Sequence, residues 1–186
     1  MRDTCLVAKG TNPALQSATI IAHHVAAQRR WHDTFVFRPQ LETWGKWYRQ
    51  LAGEGLGKEA DRDGVATNAG FTPTVSVGST DLHAVAQRYL TGPDETLTTF
   101  LEVPGDERIR VPNGALSALV PDIAGRTVAA LQSAILDGTC AAYEARGKPF
   151  IRATLANLGA EGLGALFLWK EAEVLLLAEL WNLNAF

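Results

Sequence analysis

Cysteine is nearly absent. Cys5 and Cys140 stand alone in 186 residues, with no CxxC pair and no Cys/His spacing of the kind that holds zinc. That argues against a disulfide-stapled secreted fold and a structural zinc site, and it favours a reduced, cytoplasmic setting. Neither sign of charge is in surplus. The formal net charge of −3 provides no basic footprint for DNA, RNA or an anionic membrane, although a helix terminus can still take a small anion. Long apolar runs are missing too: Gly164–Trp169 and Val174–Ala178 are separated by Lys170, Glu171 and Glu173, and neither can span a bilayer. The opening MRDTCLVAKG lacks the apolar core and small-residue cleavage site of a secretory leader. A soluble protein of the cell interior is expected, without internal repeats or low-complexity tracts.

What is present suits one globular domain: 47% of residues are hydrophobic and 20% charged, in a chain long enough to bury a core. Thr4–Ala8 reads as a short strand or a frayed tail. Asn12-Pro13 starts a helix, the Asn as cap and the Pro at the first position. Leu15, Ile20, Ile21, Val25 and Ala26 carry the helical spacing to about Gln28. His23 and His24 lie on this helix, but adjacent residues point about 100° apart, so the pair reads as solvated and no metal is expected.

Asp33–Phe37 predicts a strand ended by Arg38-Pro39. A helix follows with Leu41, Trp44, Trp47, Tyr48 and Leu51 on one face, breaking at Gly55 and Gly57. Residues 59–72 are polar and Gly-containing, a loop or surface hairpin. TVSVG predicts a buried strand, followed by a helix from about Ser79 or Thr80 to Thr91. Leu97–Val103 is another strand, and 104–124 a Pro/Gly-rich excursion with a short extended piece at Ile109–Val111. An Ala-rich helix over about Gly125–Ala145, a strand at Phe150–Leu155 and a last helix over about Glu161–Leu183 complete the chain. Strands alternating with helices of this length imply an α/β fold, a three-layer αβα sandwich around a mainly parallel sheet.

Chemistry concentrates between Trp47 and Leu90. Glu54 sits at a helix end, where the negative end of the backbone dipole slightly disfavours its ionisation. Burial beneath a substrate would raise its pKa further, toward the range suited to moving a carbon-bound proton. The plain alternative is a surface ion pair with Lys58, four residues on. His83 is expected in the first turn of a helix, where the positive dipole end keeps imidazole neutral and able to take or give a proton. Alternatively it bonds the Ser79–Asp81 turn. Gln50 lies one turn before Glu54, fit to orient sugar hydroxyls or phosphate oxygens, or simply exposed. Ser79 and Thr80 read as natural caps, and the GST turn could hold a phosphate at the helix N-terminus.

At these residues the sequence resembles the glucose-6-phosphate isomerase family, specifically the second of its two SIS (sugar isomerase) domains. The resemblance rests on NPA (12–14), QLAGEGLGK (50–58), TPTVSVGSTDLHAVAQ (72–87), GP (92–93), LTTFLEV (97–103) and the closing LWNLNAF (180–186). It implies a single SIS domain over residues 1–186, flavodoxin-like or Rossmann-like. It further implies that Glu54 is the base that shuttles a proton between C1 and C2 through a cis-enediol. By the same resemblance His83 helps open the sugar ring, and Gln50 lies near the phosphate end of the substrate. In this family the histidine reaches the neighbouring subunit's site, so a homodimer with shared sites is implied. The substrate is a sugar phosphate, and no metal or organic cofactor is required.

The family's first SIS domain has no counterpart in this sequence, nor do the Asp-Gln pair, Glu and Lys that usually follow the closing segment. Those groups supply much of the electrostatic stabilisation isomerisation needs, so the chain by itself is expected to turn over slowly or not at all. Gly55 stands where serine or a similar residue is common. The competing reading is a sugar-phosphate-binding or regulatory SIS module without catalysis.

Overall fold

The computed structural model describes residues 12–105, 107–114 and 119–185. The strand anticipated at Thr4–Ala8 lies outside them. Among the described residues five α-helices and four strands alternate: α1 (Pro13–Ala26), β1 (Trp31–Val36), α2 (Glu42–Leu56), β2 (Thr72–Val77), α3 (Ala86–Thr91), β3 (Thr96–Glu102), α4 (Val128–Ala145), β4 (Phe150–Thr154) and α5 (Ala160–Leu180). The sheet order is β2-β1-β3-β4, and every pairing is parallel. No helix among the described residues is long and apolar enough to cross a membrane.

The central strands β1 and β3 are buried along almost their whole length, as a parallel sheet covered on both faces requires. Successive side chains alternate between the faces. Phe35, Phe37 and Phe100 meet Tyr89 of α3 and Leu136, Cys140 and Tyr143 of α4. Val36, Leu97 and Leu101 join the larger core formed with α1, α2 and α5. The expected three layers are therefore present.

Asn12 caps α1 as anticipated, its Oδ1 accepting from the amides of Ala14 (2.9 Å) and Leu15 (3.1 Å). Of the expected apolar residues Ile21 is buried, but the rest of the buried face of α1 is made by Ala14, Ser17 and Ala18, and Ile20 is 39% exposed. These small residues let α5 come close, and Trp169 of α5 donates through Nε1 to Ser17 Oγ at 3.1 Å. The extended piece expected at Ile109–Val111 is a single bridge between Arg110 and Thr127.

Two buried polar clusters were not anticipated. In the larger core, Lys170 and Glu173 of α5 are fully buried. The Lys170 ammonium donates to both carboxylate oxygens at 2.9 Å, and Tyr48 of α2 donates to Oε1 at 2.7 Å. Burial lowers the pKa of Lys170, and the carboxylate opposes that shift. Nearby, His32 bonds Thr99 Oγ1 at 2.8 Å through Nε2; burial first, then the Lys170 charge, hold it well below the imidazole range.

On the other face Asp33 is buried, and its Oδ1 accepts from Thr74 Oγ1 (2.6 Å) and Ser76 Oγ (3.1 Å). Burial raises its pKa from 3.8 to about 6. The folded state thus holds a proton that the unfolded chain releases near pH 3.8. This contribution to stability is full below that pH and is lost as pH rises through 6. It corresponds to about 3 kcal/mol, on the order of 1.4 kcal/mol per pKa unit. Asp33→Asn, which cannot ionise, should gain on the wild type by roughly that amount between pH 4 and pH 7.5. Urea unfolding of both proteins at the two pH values checks this, and a pH-independent difference would contradict it.

Candidate functional site

Helix α2 buries Trp44, Gly45, Tyr48, Ala52, Gly55 and Leu56, which leaves Gln50 and Glu54 on its outer face. Both are exposed, and the Gln50 amide donates to Glu54 Oε1 at 3.1 Å. The carboxylate's partner is thus Gln50, one turn earlier, and no ion pair joins it to Lys58. The helix ends at Gly57, whose amide donates to the Gly53 carbonyl at 3.0 Å and where any Cβ would lie 2.6 Å from that oxygen. Gly55 is likewise constrained, since a Cβ there would press on Val174 of α5 at 3.0 Å. The glycine-broken helix end was legible; the amide–carboxylate contact comes from the i, i+4 geometry of an exposed helix face.

The turn after β2 differs from expectation. No α-helix begins at Ser79 or Thr80. A 3-10 turn spans Thr80–Leu82 with His83 at its end, and α3 starts only at Ala86. Neither Ser79 nor Val85, the residues ahead of these two elements, makes a side-chain cap bond. Asp81 takes the structural role instead, its Oδ2 accepting from the Val77 amide at 2.6 Å. The helix-dipole argument for a neutral His83 and a phosphate at the GST turn both lose their basis. His83 is exposed, its amide donating to the Thr80 carbonyl at 3.2 Å.

The two candidate groups lie at opposite edges of the sheet. Helix α2 runs antiparallel to β2: a Cβ at Gly45 would meet Val75, one at Gly53 would meet Pro73, and the Leu56 carbonyl lies against Gly70. Glu54 is therefore near the amino end of β2, while His83 follows its carboxyl end. A six-residue strand rising about 3.3 Å per residue separates these ends by roughly 17 Å. Within one chain Glu54 and His83 do not meet over one substrate.

A cavity of about 530 Å³ opens at the carboxyl edge of the sheet between the ends of β1, β3 and β4. Gln50, Glu54 and His83 do not line it. His23 and His24 stack edge to face at 5.6 Å, and His24 lies 3.5 Å from Arg29. Among the described residues no group of three or more His, Cys, Asp or Glu side chains could hold a metal ion.

No protein-family model matches the chain. It is similar to a probable glucose-6-phosphate isomerase of Methanococcus maripaludis, 30% identical over 178 residues, which cover 94% of this chain and 37% of that protein. A glucose-6-phosphate isomerase of Methanocaldococcus jannaschii is 30% identical over 184 residues, 94% of this chain and 41% of its own. One from Synechococcus is 32% identical over 178 residues, 94% of this chain and 31% of its own. The chain thus spans well under half the length of these curated relatives. In solved structures, a hypothetical protein from Thermus thermophilus superposes with a TM-score of 0.90 at 25% identity, over 99% of this chain and 43% of that one. A glucose-6-phosphate isomerase from Chlamydia trachomatis superposes with a TM-score of 0.78 at 17% identity, over 94% and 35%; that likeness concerns the fold.

Proposed function

We propose that this chain, which aligns over nearly all its length with part of glucose-6-phosphate isomerases, is one SIS-type domain of an aldose–ketose isomerase that interconverts glucose 6-phosphate and fructose 6-phosphate. The observation that carries this reading is the alignment itself, about 30% identity across 94% of the chain. In this reading His83 moves the proton that opens the sugar ring. Glu54 then removes the C2 proton of the open aldose, giving the cis-enediol as O1 gains a proton. It returns a proton to C1 while the O2 hydroxyl loses its proton and the C2 carbonyl forms, so that the net hydroxyl proton passes from O2 to O1. Gln50, bonded to Glu54 Oε1 at 3.1 Å, stands beside the base as a substrate-binding group near the phosphate end of the sugar. The proton is acidic because it lies beside a carbonyl once the ring is open, so the step calls for no metal or organic cofactor.

The separation of Glu54 and His83 within one chain supports a homodimer in which each site takes its histidine from the second copy. The exposure of both groups fits a surface that another domain and another copy complete. The test is a coupled assay for fructose 6-phosphate, with the chain alone and with polypeptides supplying both the first SIS domain and the Asp-Gln, Glu and Lys segment. Turnover is expected with those polypeptides, and Glu54→Gln should lower it by about 10²–10⁴-fold while sugar-phosphate binding persists. Wild-type turnover in Glu54→Gln removes Glu54 as the base. The exposure of Glu54 also favours a second reading, a sugar-phosphate-binding module without catalysis. That reading requires binding without turnover in every combination.

A further inference from the structure

The sheet order β2-β1-β3-β4 sends successive connections to opposite sides of β1. The switch point, the crevice beyond the carboxyl ends of β1 and β3, is where open parallel α/β sheets take ligands. The 530 Å³ cavity lies there, lined by Phe37, Arg38, Glu102, Gln132, Ser133 and Thr154 among others, and its volume falls in the range of small-molecule sites. The charges around it differ in how they are satisfied. Arg152 bridges Glu102 (2.9 Å) and Asp137 (2.7 Å), and Ser133 Oγ donates to the other oxygen of Glu102 at 3.1 Å. Glu107 accepts from Thr127 Oγ1 at 2.8 Å. Arg38 instead donates only to neutral acceptors, Nε to the Val103 carbonyl (3.0 Å) and Nη1 to Gln132 Oε1 (3.0 Å). No carboxylate among the described residues pairs with it, and none of those residues offers an acceptor to its Nη2.

The backbone makes room for that guanidinium. A Cβ at Gly105 would collide with Ala129 and with Arg38 Nη2, so only glycine lets the loop after β3 pass beside both. We propose that this crevice is a ligand site for a small polyhydroxylated organic anion, whose phosphate or carboxylate takes the open side of the Arg38 fork. The hydroxyls of such a ligand pair with the carboxylates and hydroxyls of Glu102, Glu107, Ser133 and Thr154. A planar guanidinium suits a two-oxygen anionic group, and carboxylates on the walls suit hydroxyl donors. The site is separate from Glu54 and does not depend on the isomerase reading.

Titration of ¹⁵N-labelled protein with glycerol 3-phosphate, inorganic phosphate and glycerol tests it. Glycerol 3-phosphate should give saturable shifts at the amides of Val103, Gly105, Ala129 and Ala130. Phosphate should bind the same amides more weakly, and glycerol should not saturate them. Arg38→Gln should weaken glycerol 3-phosphate by about tenfold or more, as expected for loss of a charge-assisted pair, and Glu54→Gln should leave it unchanged. Shifts in the wild type confined to other amides, or unchanged shifts at the crevice amides in Arg38→Gln, overturn the proposal. If Arg38→Gln loses its dispersed spectrum, the wild-type shift map and Arg38→Lys, which keeps the charge and loses the fork, decide it. Lysine binding as tightly as arginine would also count against it.

Discussion

Glu173→Gln is expected to cost about 3–5 kcal/mol of folding stability, because it leaves the Lys170 ammonium buried without its counter-charge. For a chain of this length that lowers the melting temperature on the order of 10 °C, against a total stability of roughly 5–15 kcal/mol. Lys170→Met should cost a similar amount by stranding the carboxylate, which keeps only the Tyr48 hydroxyl at 2.7 Å. The pH signatures of the two variants have opposite sign. A buried lysine without its partner has a depressed pKa, so the Glu173→Gln deficit shrinks as pH rises toward the alkaline range. A buried carboxylate without its partner has a raised pKa, so the Lys170→Met deficit shrinks as pH falls. Replacing both by Met and Leu should be milder than either single change. Chemical unfolding across pH separates these outcomes, and single-variant losses below about 1 kcal/mol would mean that the pair acts like a surface bridge. The pair also matters for the candidate site: Tyr48 lies on α2, six residues before Glu54, so the Glu173 bond ties that helix to α5.

Much of the scaffold could be read from residues alone. Asn12-Pro13 announces a capped helix, and the β-rich runs before Gly78 and Val103 announce strands, because cap chemistry and apolar patterning are local. Only the second of these strands is buried, since β2 lies at the sheet edge, where Ser76 alone of its residues is buried. In the turn after β2, Ser79 and Thr80 have the right chemistry for an α-helix cap, but Asp81 closes the turn onto the Val77 amide instead. Lys170 and Glu173 looked like charges that interrupt an apolar helix. Their burial depends on Tyr48, whose position against α5 is a tertiary fact. Asp33 is similar, since its hydroxyl partners Thr74 and Ser76 arrive from the neighbouring strand. Gln50 and Glu54 were correctly placed on one helix face. Their distance from His83 emerges only once α2 is known to run back along β2, and the crevice at Arg38 only once the strand order is known.

On the proposed reading, mixing Glu54→Gln chains with His83→Ala chains should restore activity that neither variant shows alone, with the first SIS domain and the Asp-Gln, Glu and Lys segment present in saturating amount. In a two-fold dimer with shared sites, each site takes Glu54 from one copy and His83 from the other. A heterodimer of the two variants then has one site with both groups replaced and one with both intact. Random reassociation makes half of the dimers mixed, so recovery should reach about a quarter of wild-type turnover. If both groups act from the same chain, every site in every dimer lacks one of them and nothing is recovered. The geometry favours the first outcome, because roughly 17 Å of strand lies between Glu54 and His83 in one copy, further than any substrate proton can be passed. Cyclic glucose 6-phosphate is the compound to use, since in the proposed reaction the ring is opened by His83 before Glu54 acts. No recovery from a mixture shown to exchange subunits would remove the shared-site arrangement and leave His83 without a part in the reaction.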